Sequence, residues 1–246
     1  MAINVDTVYK TVLSILNKEQ RGYMTPDEFN KTATQVQLEI FESYFDDLNQ
    51  QLRVPQSNTE YADRQKNIDN MISIFKTFGP CTFSVDHFAV PANLHKIGTV
   101  IYKDEIEIER VQKDYLLYIN LSPLTKPTKS FPLYVYENST VGTGGANTTN
   151  PKIYVWPKDI TSGISVSYIR KPLNVAWGYT GLAGVAWTTG PYIYSPSLST
   201  QFELDAAEQT NVITKILLYA GVIIRDPEIV QIAAQKSQQE EINSKN

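Results

Sequence analysis

The run Asp104-Glu105-Ile106-Glu107-Ile108-Glu109-Arg110 spaces three glutamates two residues apart. In a strand that spacing places all three carboxylates on one face. A pair of carboxylates facing a sugar can act as acid and as nucleophile or base in glycoside hydrolysis. Here the alternate positions are isoleucines, the pattern of a half-buried strand whose other face is solvated. The row reads as a solvated face, or as an acidic surface that meets Lys or Arg on a partner. His87 and His95 are the only histidines, and neither belongs to an H-x-x-x-H or C-x-x-C ligand pattern. Asp86 beside His87 is too little for a metal site. Gly142-Thr143-Gly144-Gly145 is followed by Ala-Asn-Thr-Thr-Asn-Pro, without the helix or the lysine that a phosphate loop requires. It reads as a flexible loop. No G-x-S-x-G elbow occurs, two histidines leave little material for a triad, and the single Cys81 reads as a small buried residue. No catalytic, cofactor-binding or metal-binding residue is assigned, and no cofactor is expected.

Trp156, Trp177 and Trp187 stand among Tyr134, Tyr136, Tyr154, Tyr168, Tyr179, Tyr192 and Tyr194. Such aromatics can stack on sugars or bases, fill a sheet core, or form the hot spots of a protein interface. Core or interface is the preferred pair of readings, and Trp177 and Trp187 are candidates for a subunit contact. Lys126, Lys129, Lys158, Arg170 and Lys171 are too dispersed to define a DNA groove.

These residues must be held by elements of two kinds. A helix from about Asn4 to Lys18 carries Val5, Val8, Val12 and Ile15 with Leu16 at helical spacing. From Thr25 to Leu52 runs a longer helix, about 40 Å. Thr25, Pro26 and Glu28 supply its start. One apolar stripe, Phe29, Ala33, Val36, Ile40, Tyr44 and Leu48, lies beside a second, Leu38, Phe41, Phe45, Leu48 and Leu52. That width requires cover on two sides, so Leu38, Phe41, Phe45 and Leu52 are candidates for a subunit contact. A third helix is expected to end at about Phe78, stopped by Gly79-Pro80. Residues 81–203 read as β, with a hairpin about Lys103-Asp104 and further strands in FPLYVYEN, PKIYVWP and GISVSYIRKP. Residues 172–200, rich in Gly, Pro, Trp, Tyr and Ser, look like an extended arm. Helix resumes from Asp205 to about Ile224 and again after Asp226-Pro227-Glu228. The fold class expected is α+β: an N-terminal antiparallel helical bundle (1–80), joined by C-terminal helices (204–246), with an inserted antiparallel β-lobe (81–203).

The chain of 246 residues is 42% hydrophobic and 20% charged, with a net charge of −4. Those proportions suit a folded chain, and the acidic balance argues against general nucleic-acid binding. The first twenty residues lack the pattern of a signal peptide, and the longest apolar run, Val212 to Ile224, contains Thr214 and Lys215. A soluble, unsecreted chain with no membrane partner is expected.

The opening helix followed by GYMTPDEFN and a long aromatic helix resembles the start of structural proteins from tailed bacteriophages. The phrases PANLHKIGTVIY, IERVQ, FPLYVYE, KIYVWPKDI and SVSYIRKPLNVAWGY extend the likeness, as does the closing FELDAAEQTNVITKILLYAGVIIRDPEIVQIAAQK. The chain resembles the head-to-tail connector, or neck ring, proteins of short-tailed, crAss-like phages over nearly its whole length. The resemblance implies a homo-oligomeric ring of about twelve subunits, placed in the virion neck after synthesis in the host cytoplasm. It implies contact with the portal and other neck or tail proteins, and transient passage of DNA without sequence-specific binding. It also implies a docking tail for the portal or the adjacent ring. By position that tail is Asp226 to Asn246, with Pro227, Ile229, Ile232 and Ile242 as its apolar residues. The rival expectation is a carbohydrate-binding tail module that uses the aromatics of the β-lobe.

Overall fold

The computed structural model describes residues 2–18, 23–53, 60–143, 146–180 and 192–223, together with 231–232, 235–236 and 238–239. In chain order its elements are α1 (Val5–Lys18), α2 (Pro26–Arg53), α3 (Glu60–Ser73), β1 (Lys76–Pro80), β2 (Thr82–Ser84), β3 (His87–Ala89), β4 (Leu94–Tyr102), β5 (Ile106–Arg110), α4 (Lys113–Leu121), β6 (Leu133–Thr143), β7 (Ala146–Trp156), β8 (Ile164–Arg170), β9 (Tyr179–Thr180), β10 (Ile193–Tyr194) and α5 (Gln209–Ile223). They divide into two compact units, one of Met1–Ile74 with Pro172–Asn246 and one of Phe75–Lys171.

In the first unit, Thr25 starts α2 with a capping box. Its Oγ1 accepts from the Glu28 N–H at 3.3 Å, and Glu28 Oε2 accepts from the Thr25 N–H at 2.8 Å. Asn4 does the same work for α1, accepting from the N–H groups of Asp6 and Thr7. The buried stripe of α1, Val5, Val8, Val12 and Leu16, and that of α2, Phe29, Ala33, Val36 and Ile40, share a core with Val212, Ile216 and Ala220 of α5. α5 packs on both α1 and α2, and α3 packs on α2.

The remaining side of α2 is taken by backbone rather than by a helix. Asn30, Thr34 and Gln37 lie one helical turn apart, and each hydrogen-bonds the main chain of the extended segment 173–177. The Trp177 N–H donates to Asn30 Oδ1 at 2.6 Å, and the Val175 N–H donates to Thr34 Oγ1 at 3.1 Å. Gln37 Nε2 donates to the Leu173 carbonyl at 2.6 Å, while its Oε1 accepts from the Glu203 N–H at 2.9 Å. A polar helix face thus does for this segment what a neighbouring strand does in a sheet. Steps of about 5–6 Å along a helix face roughly match the two-residue repeat of a strand, about 6.7 Å. On its other side the segment pairs with returning chain, Ala176 opposite Thr200. Gly178 lets the two pass, since a Cβ there would lie 2.4 Å from the backbone of Leu198.

The second unit is one eight-stranded sheet in the order β1-β8-β4-β5-β6-β7-β3-β2. β4 and β5 are joined by a tight turn of three residues, Lys103 to Glu105, in which Lys103 and Asp104 both have positive φ, 53° and 58°, and the Glu105 N–H donates to the Tyr102 carbonyl at 3.3 Å. β6 and β7 form a long hairpin with Leu133 opposite Trp156 and Thr143 opposite Ala146. β5 and β6 run parallel, so the chain between them must cross over, and α4 is that crossover. The two edge strands, β1 and β2, are separated in sequence by Cys81 alone. One residue cannot span an open sheet of eight strands, so the edges lie beside each other and the sheet curls into a nearly closed barrel. Phe88, Val100, Ile108, Tyr134, Ile153, Val155, Ile164, Val166 and Tyr168 fill its interior.

This architecture corrects the expected fold class. The chain is not a helical bundle with a small inserted antiparallel β-lobe; half of its organisation is a mixed, barrel-like sheet of eight strands. Three physical reasons account for the difference. α3 ends at Ser73 rather than near Phe78, because Lys76–Pro80 finds a partner in β8 and becomes an edge strand. The charge-poor stretch KDYLLYINL is helix because a parallel pair needs a crossover. Segment 172–180, read as part of a free arm, belongs to the helical unit, with Val175 and Trp177 buried.

The hydrogen-bonded stripe on α2 makes a direct prediction. Gln37→Ala removes the partner of two part-buried backbone groups, the Leu173 carbonyl and the Glu203 N–H, and is expected to lower stability by about 2–4 kcal/mol. In a chain of this size that is a fall of roughly 5–15 °C in Tm. Gln35→Ala, two residues away on the exposed face, should stay within about 0.5 kcal/mol of the parent. Thermal denaturation followed by circular dichroism checks both.

Candidate interaction surface

The residues with chemical potential are dispersed. Glu105, Glu107 and Glu109 are exposed on the outer side of the β4–β5 hairpin and beyond it, with Ile106 and Ile108 turned inward. Glu107 and Glu109 border an open cleft of about 560 Å³ that Arg110 and Tyr134 also line. The cleft exists because Gly98 sits so close to β8 that a Cβ would lie 2.8 Å from the Ser167 carbonyl oxygen. The register of β4 shifts there, between Ile97 and Val100, and its ladder with β5 begins only at Val100 opposite Ile108. His87 Nδ1 lies 2.7 Å from Asp86 Oδ1, and this hydrogen bond holds the Asp86 carboxyl below the usual carboxylate range. Among the described residues no group of three or more His, Cys, Asp or Glu could hold a metal ion. Cys81 is buried in the barrel, and burial pushes its thiol up to about 11, so it is not poised as a nucleophile. Gly142 and Thr143 belong to the β6–β7 hairpin and are followed by a strand, while Gly144 and Gly145 lie outside the described residues. No described helix is long and apolar enough to cross a membrane.

The residues expected at a subunit contact are for the most part covered by their own chain. Phe41 is 1% exposed and Phe45 8%, their rings edge to face at 5.1 Å. Leu38 is half-buried. Trp177 is 4% exposed. Its ring meets Tyr9 at 4.5 Å, Tyr194 at 5.7 Å and Tyr179 at 5.9 Å, and its Nε1 donates to Asp6 Oδ1 at 3.0 Å. Burial alone would raise the Asp6 carboxyl, but the bonds from Lys10 and Trp177 together hold it below its ordinary value. A ring so enclosed has no face for a sugar. Trp187, Pro227, Ile229, Ile242 and the side chain of Leu52 lie outside the described residues, and Ile232 is exposed.

The surface that is apolar and uncovered lies instead on α4. This helix begins after Gln112, whose carbonyl accepts from the Leu116 N–H at 3.0 Å, and ends before Ser122-Pro123. Leu116 and Ile119 point inward, onto Val111, Leu133, Val135, Tyr154 and Trp156 on the outside of β6 and β7. The opposite face carries Tyr115 (62% exposed), Leu117 (64%), Tyr118 (71%) and Leu121 (80%), and the turn beyond adds Leu124 (94%) and Phe131 (80%). Six large apolar side chains at such exposure present roughly 800–1,000 Å², about what one partner contributes to a standard protein interface. Charge borders this surface: Lys113 is paired with Glu137, its Nζ 2.9 Å from Oε1, and Asp114 is exposed in the first turn of the helix, as are Lys126 and Lys129 between Leu124 and Phe131. An apolar surface rich in tyrosine with charge at its border has the composition of a protein interface.

Periodicity alone does not reveal this site. Between Tyr115 and Leu121 only Asn120 is polar, so the stretch has no polar face to distinguish inside from outside. Its signal is the surplus: a nine-residue helix against a sheet can bury one stripe, and this one carries two.

The two faces of α4 are expected to respond in opposite ways. Leu116→Ala should cost about 2–4 kcal/mol by leaving a cavity between helix and sheet. Leu121→Glu should change stability by no more than about 0.5 kcal/mol. Urea unfolding of both variants measures the difference. The chain matches no protein-family model and no curated protein sequence.

Proposed function

We propose that this chain is a structural, non-enzymatic virion protein of a tailed phage. In this reading it is one subunit of a neck ring that joins the capsid portal to the tail and surrounds the DNA passage. The observation that carries the reading is the uncovered apolar surface of α4, large enough for one side of a stable protein interface. Such a surface is costly to leave in water and marks a chain whose work is done in an assembly. The resemblance of the sequence, in phrases and in their order, to neck ring proteins of short-tailed phages supplies the kind of assembly. A net charge of −4 also suits the reading, because a strongly basic channel would retain passing phosphates. Residues 226–246, with Pro227, Ile229, Ile232 and Ile242, form the segment that docks on the portal or on the adjacent ring.

Imaging of intact particles tests the proposal. Gold-labelled antibody against the purified chain, or a cryo-EM reconstruction of the virion, should place it in a closed ring between capsid and tail. Label at the tail-fibre tips, or purified virions that lack the chain, would overturn it.

A further inference from the structure

The β6–β7 hairpin runs on after its neighbours in the barrel stop. Among the described residues β5 pairs with β6 at Leu133 and Tyr134, and β3 pairs with β7 at Lys152 and Ile153. The hairpin itself stays in register as far as Thr143 opposite Ala146. No other described strand of either unit joins it. One bond fixes the direction of its main-chain groups. The Tyr134 carbonyl accepts from the Val111 N–H at 2.9 Å, so Tyr134 turns its main chain toward β5 and away from β7. Main-chain groups alternate along an antiparallel strand. Asn138, Thr140 and Gly142 therefore present N–H and C=O at the β6 edge, and their partners Pro151, Thr149 and Asn147 face the β7 edge. Among the described residues neither edge has a partner strand there, and a two-stranded ribbon is marginal in water without a third.

Edges that stay solitary carry lysine or other charges, bulges or proline. Residues 138–151 include no charged residue, in a chain that is 20% charged, and their one proline, Pro151, stands at the root of the β7 edge. The β6 edge has no such guard. We infer that the β6 edge of one copy takes the β7 edge of the next copy as a further antiparallel strand. A foreign strand is selected through pockets for its alternate side chains, and a run of Ser, Thr, Asn, Gly and Ala has little with which to form them. A second copy needs no pockets, because the mating edge matches in length and brings no like charge to oppose. Every copy has one edge of each kind, so head-to-tail addition occupies both. Two-fold pairing of β6 with β6 would leave the β7 edge bare. Head-to-tail contacts propagate, and they close into a ring when the rotation per copy divides the circle. Closure turns the hairpins into one continuous barrel without an edge, and its uncharged wall suits the passage of phosphates. The inference deepens the neck-ring reading and rests on it for the closure. The seam between two copies rests on the open edges.

Hydrogen exchange of the full chain, read residue by residue by mass spectrometry, tests the seam directly. In dilute monomer the N–H groups of Ser139, Val141 and Thr143, bonded within the hairpin, should exchange slowly. Those of Asn138, Thr140, Gly142, Asn147 and Thr149 should exchange freely. At concentrations where ultracentrifugation shows assembly, this second set should slow by about tenfold or more. Thr140→Pro and Thr149→Pro each remove one edge N–H and no bond of the hairpin. Each should raise the concentration needed for assembly by about tenfold. Where a proline variant fails to fold, Thr140→Lys or Thr149→Lys takes its place and sets a charge on the same edge. The inference is overturned by a chain that is monomeric at every concentration, by assemblies whose edge N–H groups still exchange freely, or by variants that assemble as the parent does. An effect of Thr140→Pro without one of Thr149→Pro also overturns it, being the signature of two-fold β6 pairing. A chain imaged in the neck whose edges stay unprotected keeps the neck reading and loses this seam. A chain absent from the neck whose edges become protected keeps the seam and loses the neck.

Discussion

Three side chains on one face of α2, Asn30, Thr34 and Gln37, hold the helical unit together by bonding to backbone. They fix the positions of Leu173, Val175 and Trp177, and through the Glu203 N–H they also reach the chain that leads into α5. Gln37 is 0% exposed, so its amide must be satisfied within the fold or be expelled from it. Both ends of that amide are used. Much else follows from this constraint. Trp177 is presented to Tyr9 and Asp6 on α1, and the unit becomes continuous across nearly 150 residues of intervening sequence. The helical core by itself has apolar area but no directional bonds to define where the extended segment lies. The polar stripe provides the register.

In the barrel the equivalent constraint is closure. An open sheet of eight strands would leave the edges of β1 and β2 unpaired. Joining those strands through Cys81 alone forces the edges together and turns one face of every strand inward. The parallel step from β5 to β6 then demands a crossover on the outside, and the outside of β6 and β7 is where α4 is held. That helix consumes one apolar stripe against the barrel and leaves another in solvent. The surface on which the functional proposal rests is thus a by-product of topology. A crossover needs a helix, and nothing requires its far side to be apolar. That it carries tyrosines and leucines is information about a partner rather than about the fold.

The aromatic residues illustrate how composition underdetermines role. Trp177 and Tyr134 are consumed in cores, Trp156 is packed beneath α4, and Tyr115 and Tyr118 are left outside. All five are equal in a list of aromatics. Likewise, the broad face of α2 demanded cover on two sides, and the demand was real. The cover comes from the chain's own returning segments, so Phe41 and Phe45 are interior residues, and the free surface lies on a helix in the other unit.

The sequence by itself determined what depends on neighbours a few residues apart. The capping box at Thr25 and the start of α2, the apolar stripes of α1 and α2, the turn at Lys103-Asp104 and the strand character of residues 133–138, 151–156 and 164–170 were legible. Each is set by local sterics and by the period of burial. Residues 139–143 and 146–150, which read as a flexible loop, instead extend the β6–β7 hairpin. What only the tertiary structure decided is everything that joins distant positions: that Asn30, Thr34 and Gln37 would read the backbone of residues 173–177, that Lys76–Pro80 would leave its helix to pair with β8, and that one cysteine would draw two edges into a barrel. The outward face of α4 belongs with these. Periodicity measures whether a face is apolar, but only the surrounding chain decides whether anything covers it.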